Sequence, residues 1–94
     1  MNNTIAFVGN GNMTRAIVTG LIQTGFNPEQ IWVSGPHSNK LAPFKDDFGV
    51  NVTTNNREAV VQSDIVVLAV KPDKMEMVAD EIAATVKEKM PLVI

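Results

Sequence analysis

The run Ile65-Val66-Val67-Leu68-Ala69-Val70 narrows the fold more than any other stretch of the chain. A strand with one wet face alternates apolar and polar residues, and this run does not alternate. It is also far shorter than the roughly 18 apolar residues needed to cross a bilayer. A strand covered on both faces remains, and such strands belong to parallel sheets with helices on each side.

The rest of the chain follows the same alternation. Ile5-Ala6-Phe7-Val8 is a second continuous apolar run, Ile31-Trp32-Val33 a third, and Val50-Asn51-Val52-Thr53 a weaker, alternating one. Helical patterns separate them. Met13, Ala16, Ile17, Gly20 and Leu21 fall on one helical face, with Gly25 placed to end it. Leu41, Phe44 and Phe48 share a face of a short helix stopped by Gly49. Asn56 is placed to cap a brief helix through Ala59, Val60 and Val61. Met75, Val78, Ala79, Ile82 and Val86 form the last apolar face, which Pro91 ends. The methionines on these faces read as core residues.

These elements predict a Rossmann-type, doubly wound parallel α/β sheet of strand order 3-2-1-4-5. Strands are expected near residues 4–9, 30–34, 50–53 and 64–70, with a helix from about Asn12 to Thr24. Leu92-Val93-Ile94 opens a fifth strand at which the chain stops, so residues 1–94 read as one domain incomplete at its C-terminus.

Composition closes off several functions. A net charge of −2 offers no basic stripe for nucleic acid. Zero cysteines exclude disulfides and thiolate metal sites, and no ligand spacing surrounds the one histidine. Met1-Asn2-Asn3-Thr4 carries no targeting signal, and no membrane span is expected. The default reading is a soluble cytoplasmic protein.

The turn Gly9-Asn10-Gly11-Asn12-Met13 joins the first strand to the first helix, the context in which a glycine turn holds a pyrophosphate. Gly9 permits a tight turn, and Gly11 lets the backbone approach a ligand. Amides near Asn12 and Met13 then face the phosphates at the positive end of the helix. Thr14 stands where the G-x-G-x-x-G pattern has its third small residue. Arg15 is close enough in sequence to approach a phosphate, or is simply solvated. A plain glycine turn is the bland alternative.

Cofactor choice turns on the end of the second strand, where an Asp or Glu would bind the ribose hydroxyls of NAD. The segment Ser34-Gly35-Pro36-His37-Ser38-Asn39-Lys40 has no carboxylate. A carboxylate about 4 Å from a 2′-phosphate costs about 4 kcal/mol per unit charge at an effective dielectric near 20. Its absence, the donors Ser34, His37 and Ser38, the charge of Lys40 and the free amides of the next helix suit NADP(H), with NAD(H) still possible. A polar helix-capping loop with a solvated His37 is the competing reading. Ala69-Val70-Lys71-Pro72 ends the fourth strand and faces the glycine turn if the strand order holds. It reads equally as a cofactor wall or as a strand end with Pro72 opening a helix. No residue pair here suggests nucleophilic or acid–base catalysis.

Taken together, three segments resemble pyrroline-5-carboxylate reductase: residues 5–13, residues 50–56, and Asp64-Ile65-Val66-Val67-Leu68-Ala69-Val70-Lys71-Pro72. The first is shared with several NADP-dependent relatives, and the last is the more specific. The resemblance implies that Gly9, Asn10, Gly11, Asn12 and Met13 contact the pyrophosphate. It assigns the loop of Ser34, Gly35, Pro36, His37 and Ser38 to the adenosine ribose and its phosphate. Asn56, Ala69, Val70, Lys71 and Pro72 would touch further parts of the cofactor, which lifts Asn56 above a capping role. It also implies a parent enzyme that reduces a small cyclic imine to proline, with a carboxyl-terminal helical domain, absent here, for dimer formation and substrate. Two alternatives remain: a related reductase or dehydrogenase of another substrate, and a non-catalytic NADP(H)-binding module.

Overall fold

The computed structural model describes residues 3–94; the reading of Met1 and Asn2 lies outside the described residues. The chain alternates β1 (Ile5–Val8), α1 (Asn12–Gln23), a 3₁₀ turn (Pro28–Gln30), β2 (Ile31–Ser34), α2 (Ser38–Phe48), β3 (Asn51–Thr53), α3 (Asn56–Val61), β4 (Ile65–Leu68), α4 (Pro72–Lys89) and β5 (Leu92–Val93). All pairings are parallel, in the order β3-β2-β1-β4-β5. The expected order therefore holds, and β1 occupies the centre. Its residues Ile5 and Val8 align with Ile31 and Ser34 on one side and with Ile65 and Leu68 on the other.

Each face of the sheet carries its own core. Phe7, Val18, Ile31, Val33, Leu41, Phe44 and Val50 pack on the side of α1 and α2. Val8, Val60, Val66, Val78 and Ile82 pack on the side of α3 and α4. The helix ends are chemically specified. Gly25 takes a φ of +96°, and the Phe26 amide donates to Leu21 O, closing a Schellman-type end on α1. Gly49, at φ +74°, ends α2 with its amide on Lys45 O.

Three expectations need correction. The buried face of α1 carries Thr14 and Val18, backed by Leu21 and Ile22, whereas Met13 and Ile17 are 61% and 38% exposed. Both stripes satisfy helical spacing, so periodicity alone does not choose between them. Thr14 decides: it is fully buried, and its hydroxyl donates to Gly9 O at 2.9 Å, which turns this side of the helix toward the sheet. The described methionines are not core either, since Met77 and Met90 are also exposed and Met75 is only half-buried. Lastly, β4 is shorter than the apolar run, and of it only Val66 is buried. By the strand register, Ile65 and Val67 share their face with the exposed Leu92, and α1 and α2 lie mainly over the other half of the sheet.

Arg15 neither lines the cleft nor is simply solvated. It forms an ion pair with Asp47 and lies over the rings of Phe44 and Phe48, with its guanidinium carbon 5.8 and 4.9 Å from their centroids. The pair is half-exposed, so it adds only modestly to stability while tying α1 to α2.

Gly9 and Gly11 are predicted to differ sharply on substitution. Gly9 has φ +126°, and a Cβ there would lie 2.1 Å from Ala69 O. Gly9→Ala should cost about 3 kcal/mol from backbone strain and displacement of the β4 end. Gly11 has an ordinary φ, and its Cβ would meet nothing within 4 Å. Gly11→Ala should stay within about 0.5 kcal/mol. Urea unfolding of both variants checks this, and equal losses would refute it.

Candidate functional site

Strand connections leave β1 in opposite directions, toward β2 and β3 on one side and toward β4 and β5 on the other. Between the carboxyl ends of β1 and β4 such an arrangement leaves a crevice. The ladder extends into this region: Gly9 N donates to Ser34 O at 2.9 Å, Ala69 N to Val8 O at 2.8 Å, and Gly35 N to Thr53 O at 3.2 Å. These bonds hold the glycine turn, the β2 loop and the β4 end in one frame.

The crevice is a cleft of about 580 Å³, within the usual range for a small-molecule site. Val8, Gly9, Asn10 and Gly11 line it from the first turn. Gly35, Pro36, His37 and Lys40 line it from the β2 loop, and Ala69, Val70 and Lys71 from the end of β4. Thr54 and Asn56 contribute from the β3–α3 region. Asn12, Met13, Ser34 and Pro72 lie outside the lining. Pro72 is the first residue of α4, Met13 is exposed, and Ser34 is fully buried at the end of β2.

A fifth wall was not anticipated. Lys74, Met77, Val78 and Glu81 also line the cleft. They fall at i, i+3, i+4 and i+7 on α4, so a single stripe of that helix faces the site. The same spacing count that found the apolar face of α4 would have found this stripe, had its mixed polarity been read as a wall. With His37, Lys40 and Lys71, the stripe brings three lysines and a histidine to the cleft against one carboxylate, Glu81.

Asn56 is not the cap of α3. That position belongs to Asn55, whose Oδ1 accepts from the amides of Arg57 at 3.0 Å and Glu58 at 3.4 Å. Asn56 is thereby free to turn into the cleft, where its Nδ2 donates to Glu81 Oε1 at 2.6 Å. One asparagine satisfies the helix end and the next is held by a carboxylate from across the cleft.

The residues present fit a dinucleotide. Gly11 caps α1 without a side-chain bond to the first-turn amides, and there is open space where its Cβ would be. His37, the N-cap of α2, likewise makes no side-chain capping bond. Two helix starts thus offer donors to an anion. Among the described residues, three buried side-chain atoms lack a partner: Asn10 Nδ2, Ser34 Oγ and Asn56 Oδ1. Two of their residues line the cleft and the third adjoins it. Unpaired buried polar groups are costly, and their gathering at one site marks a ligand-binding surface.

Comparison with known proteins agrees with this geometry. The family described as NADP oxidoreductase coenzyme F420-dependent matches residues 4–94. A pyrroline-5-carboxylate reductase from Vibrio alginolyticus is 41% identical over 80 residues, covering 85% of this chain and 29% of its own length. The structure of a pyrroline-5-carboxylate reductase from Coxiella burnetii superposes with a TM-score of 0.94 at 42% identity, over 99% of this chain and 34% of that one. Pyrroline carboxylate reductase from Plasmodium falciparum, solved with NADP bound, gives a TM-score of 0.78 at 28% identity, over 99% of this chain and 33% of that one. The chain spans about a third of the length of these relatives. Over residues 4–94 the chain belongs to the NADP oxidoreductase coenzyme F420-dependent family, and it is similar to the pyrroline-5-carboxylate reductases described above.

Proposed function

We propose that this chain is the NADP(H)-binding domain of a pyrroline-5-carboxylate reductase, an enzyme that reduces the cyclic imine 1-pyrroline-5-carboxylate to L-proline. The observation that carries this reading is the cleft itself. It lies at the switch point of the sheet, opens over Gly11, and has no carboxylate on its β2 loop. Bound there, NADPH supplies the hydride for the reduction.

The residues of the chain bind and orient. Gly9 to Met13, with the start of α1, meet the pyrophosphate. Ser34 to His37, with Lys40, meet the adenosine ribose and its phosphate. Asn56, Ala69 to Lys71 and the amino end of α4 at Pro72 hold further parts of the cofactor. Relatives three times as long support a second part of the parent that carries the imine site, and a homo-oligomeric, cytoplasmic enzyme is the form we assign to it. No helix among the described residues is long and apolar enough to cross a membrane.

Cofactor preference is the first test. NADPH should bind more tightly than NADH in calorimetric titration. His37→Asp, on the exposed part of the loop, should weaken NADPH far more than NADH, by up to about 4 kcal/mol per unit of phosphate charge for a carboxylate about 4 Å away. Ser34→Asp should act in the same direction while also destabilising the fold, because position 34 is fully buried. A clear NADH preference in the unsubstituted chain would overturn the assignment. Gly11→Val should weaken both cofactors alike, because it fills space in front of the pyrophosphate that the two share.

The second test separates binding from catalysis. Positioning two reactants contributes about 7–11 kcal/mol in favourable cases, and this chain holds one reactant only. NADPH oxidation with pyrroline-5-carboxylate should be undetectable for the 94 residues and robust for the full-length parent. Turnover by the 94-residue chain would show that the second part is dispensable.

A further inference from the structure

Asn10 is the middle residue of the Gly-Asn-Gly turn, and its side chain does not point along the path of the turn. It lies on Gly35: a Cβ on that glycine would meet Asn10 Nδ2 at 2.6 Å and Asn10 Cγ at 3.1 Å. Gly35 is itself buried and directly follows Ser34. The side chain of the first turn therefore reaches across to the β2 loop and occupies the space that a side chain at position 35 would take.

The amide is unpartnered in this seat. Asn10 Nδ2 is buried without an acceptor, and the neighbouring Ser34 Oγ is buried without a partner. With Nδ2 toward Gly35, a donor faces a Cα–H group, which accepts nothing. A half-turn about Cβ–Cγ keeps the shape of the side chain, sets its oxygen on the Gly35 Cα–H, and directs the two N–H bonds away from Gly35. No hydrogen bond opposes this rotation among the described residues. A charged acceptor at that rim would favour it, since hydrogen bonds to an anion are about twice as strong as neutral ones.

We propose that Asn10 is a specificity residue for the monoester phosphate on the adenosine ribose, held in place by the missing side chain of Gly35. Its amide donates to the phosphate from the glycine-turn side, while His37, Lys40 and the start of α2 approach from the other. The proposal rests on the NADP(H) reading and refines it: the side chain of Asn10 discriminates between cofactors, whereas the backbone of the turn, Asn10 included, serves the pyrophosphate common to both.

The experiment is calorimetric titration of the 94-residue chain with 2′,5′-ADP and with 5′-AMP, which differ only in the 2′-phosphate and carry no nicotinamide. Asn10→Ala should weaken 2′,5′-ADP about tenfold and 5′-AMP less than twofold. Asn10→Asp, of the same shape but anionic, should weaken 2′,5′-ADP about a hundredfold. Gly35→Ala should displace the amide and lose discrimination too, and in an Asn10→Ala background it should cost nothing more. If the unsubstituted chain prefers 2′,5′-ADP but Asn10→Ala leaves that preference intact, or weakens both nucleotides equally, this inference fails and the NADP(H) reading stands. If the unsubstituted chain does not distinguish the two, both fall.

Discussion

Between the Cα of Gly9 and the carbonyl of Ala69 there is no room for a methyl group, and much of the architecture follows from that closeness. The turn after β1 passes against the end of β4, with Gly9 at φ +126° and Ala69 N bonded to Val8 O. Any side chain at position 9 would push the two strands apart where their carboxyl ends must lie together. Thr14 secures the same turn from within α1 by bonding Gly9 O. The rotation of α1, the position of its amino end and the mouth of the cleft are thus set by contacts around one glycine.

That dependence explains what sequence reasoning reached and what it did not. Strand order was legible because the continuous apolar runs and the lengths between them admit few right-handed solutions. The rotation of α1 was not, because Met13-Ala16-Ile17-Gly20-Leu21 and Thr14-Val18-Leu21-Ile22 are both acceptable stripes at a period of 3.6. Hydrophobicity favours the first, which contains more apolar residues. The observed choice depends on a hydroxyl-to-carbonyl bond, and apolar spacing carries no information about it. A threonine that departs from a small-residue pattern was in fact the signal.

The asparagines teach a similar lesson. Asn55 and Asn56 are both good capping residues, and chain position alone does not say which one ends the helix. Thr53 Oγ1 accepts from Asn55 N at 3.0 Å, which draws Asn55 into the turn, and its Oδ1 then meets the first-turn amides. Asn56 becomes the first helical residue and turns toward α4 and Glu81. The glycine turn, the β2 loop and the β4 end were visible as site components because each has a local pattern. The α4 wall was not, because Lys74, Met77, Val78 and Glu81 share no residue type, only a helical spacing.

Charge shows why whole-chain totals say little about such a site. The protein is acidic overall, with ten carboxylates against eight lysines and arginines. The cleft reverses that balance, gathering Lys40, Lys71 and Lys74 with His37 around two helix amino ends, opposite Glu81 alone. Acidic residues elsewhere are screened over about 10 Å in ordinary salt, so they do little to offset the local field. Glu81 is held by Asn56 and lines the part of the cleft formed with α4. A ligand with phosphates at two points and an uncharged base fits this pattern, since anionic groups find the lysines and the helix starts while the base can lie beside Met77 and Val78. The arrangement needs both the parallel sheet, which collects the strand ends, and the rotation of α4, which turns one mixed stripe toward them.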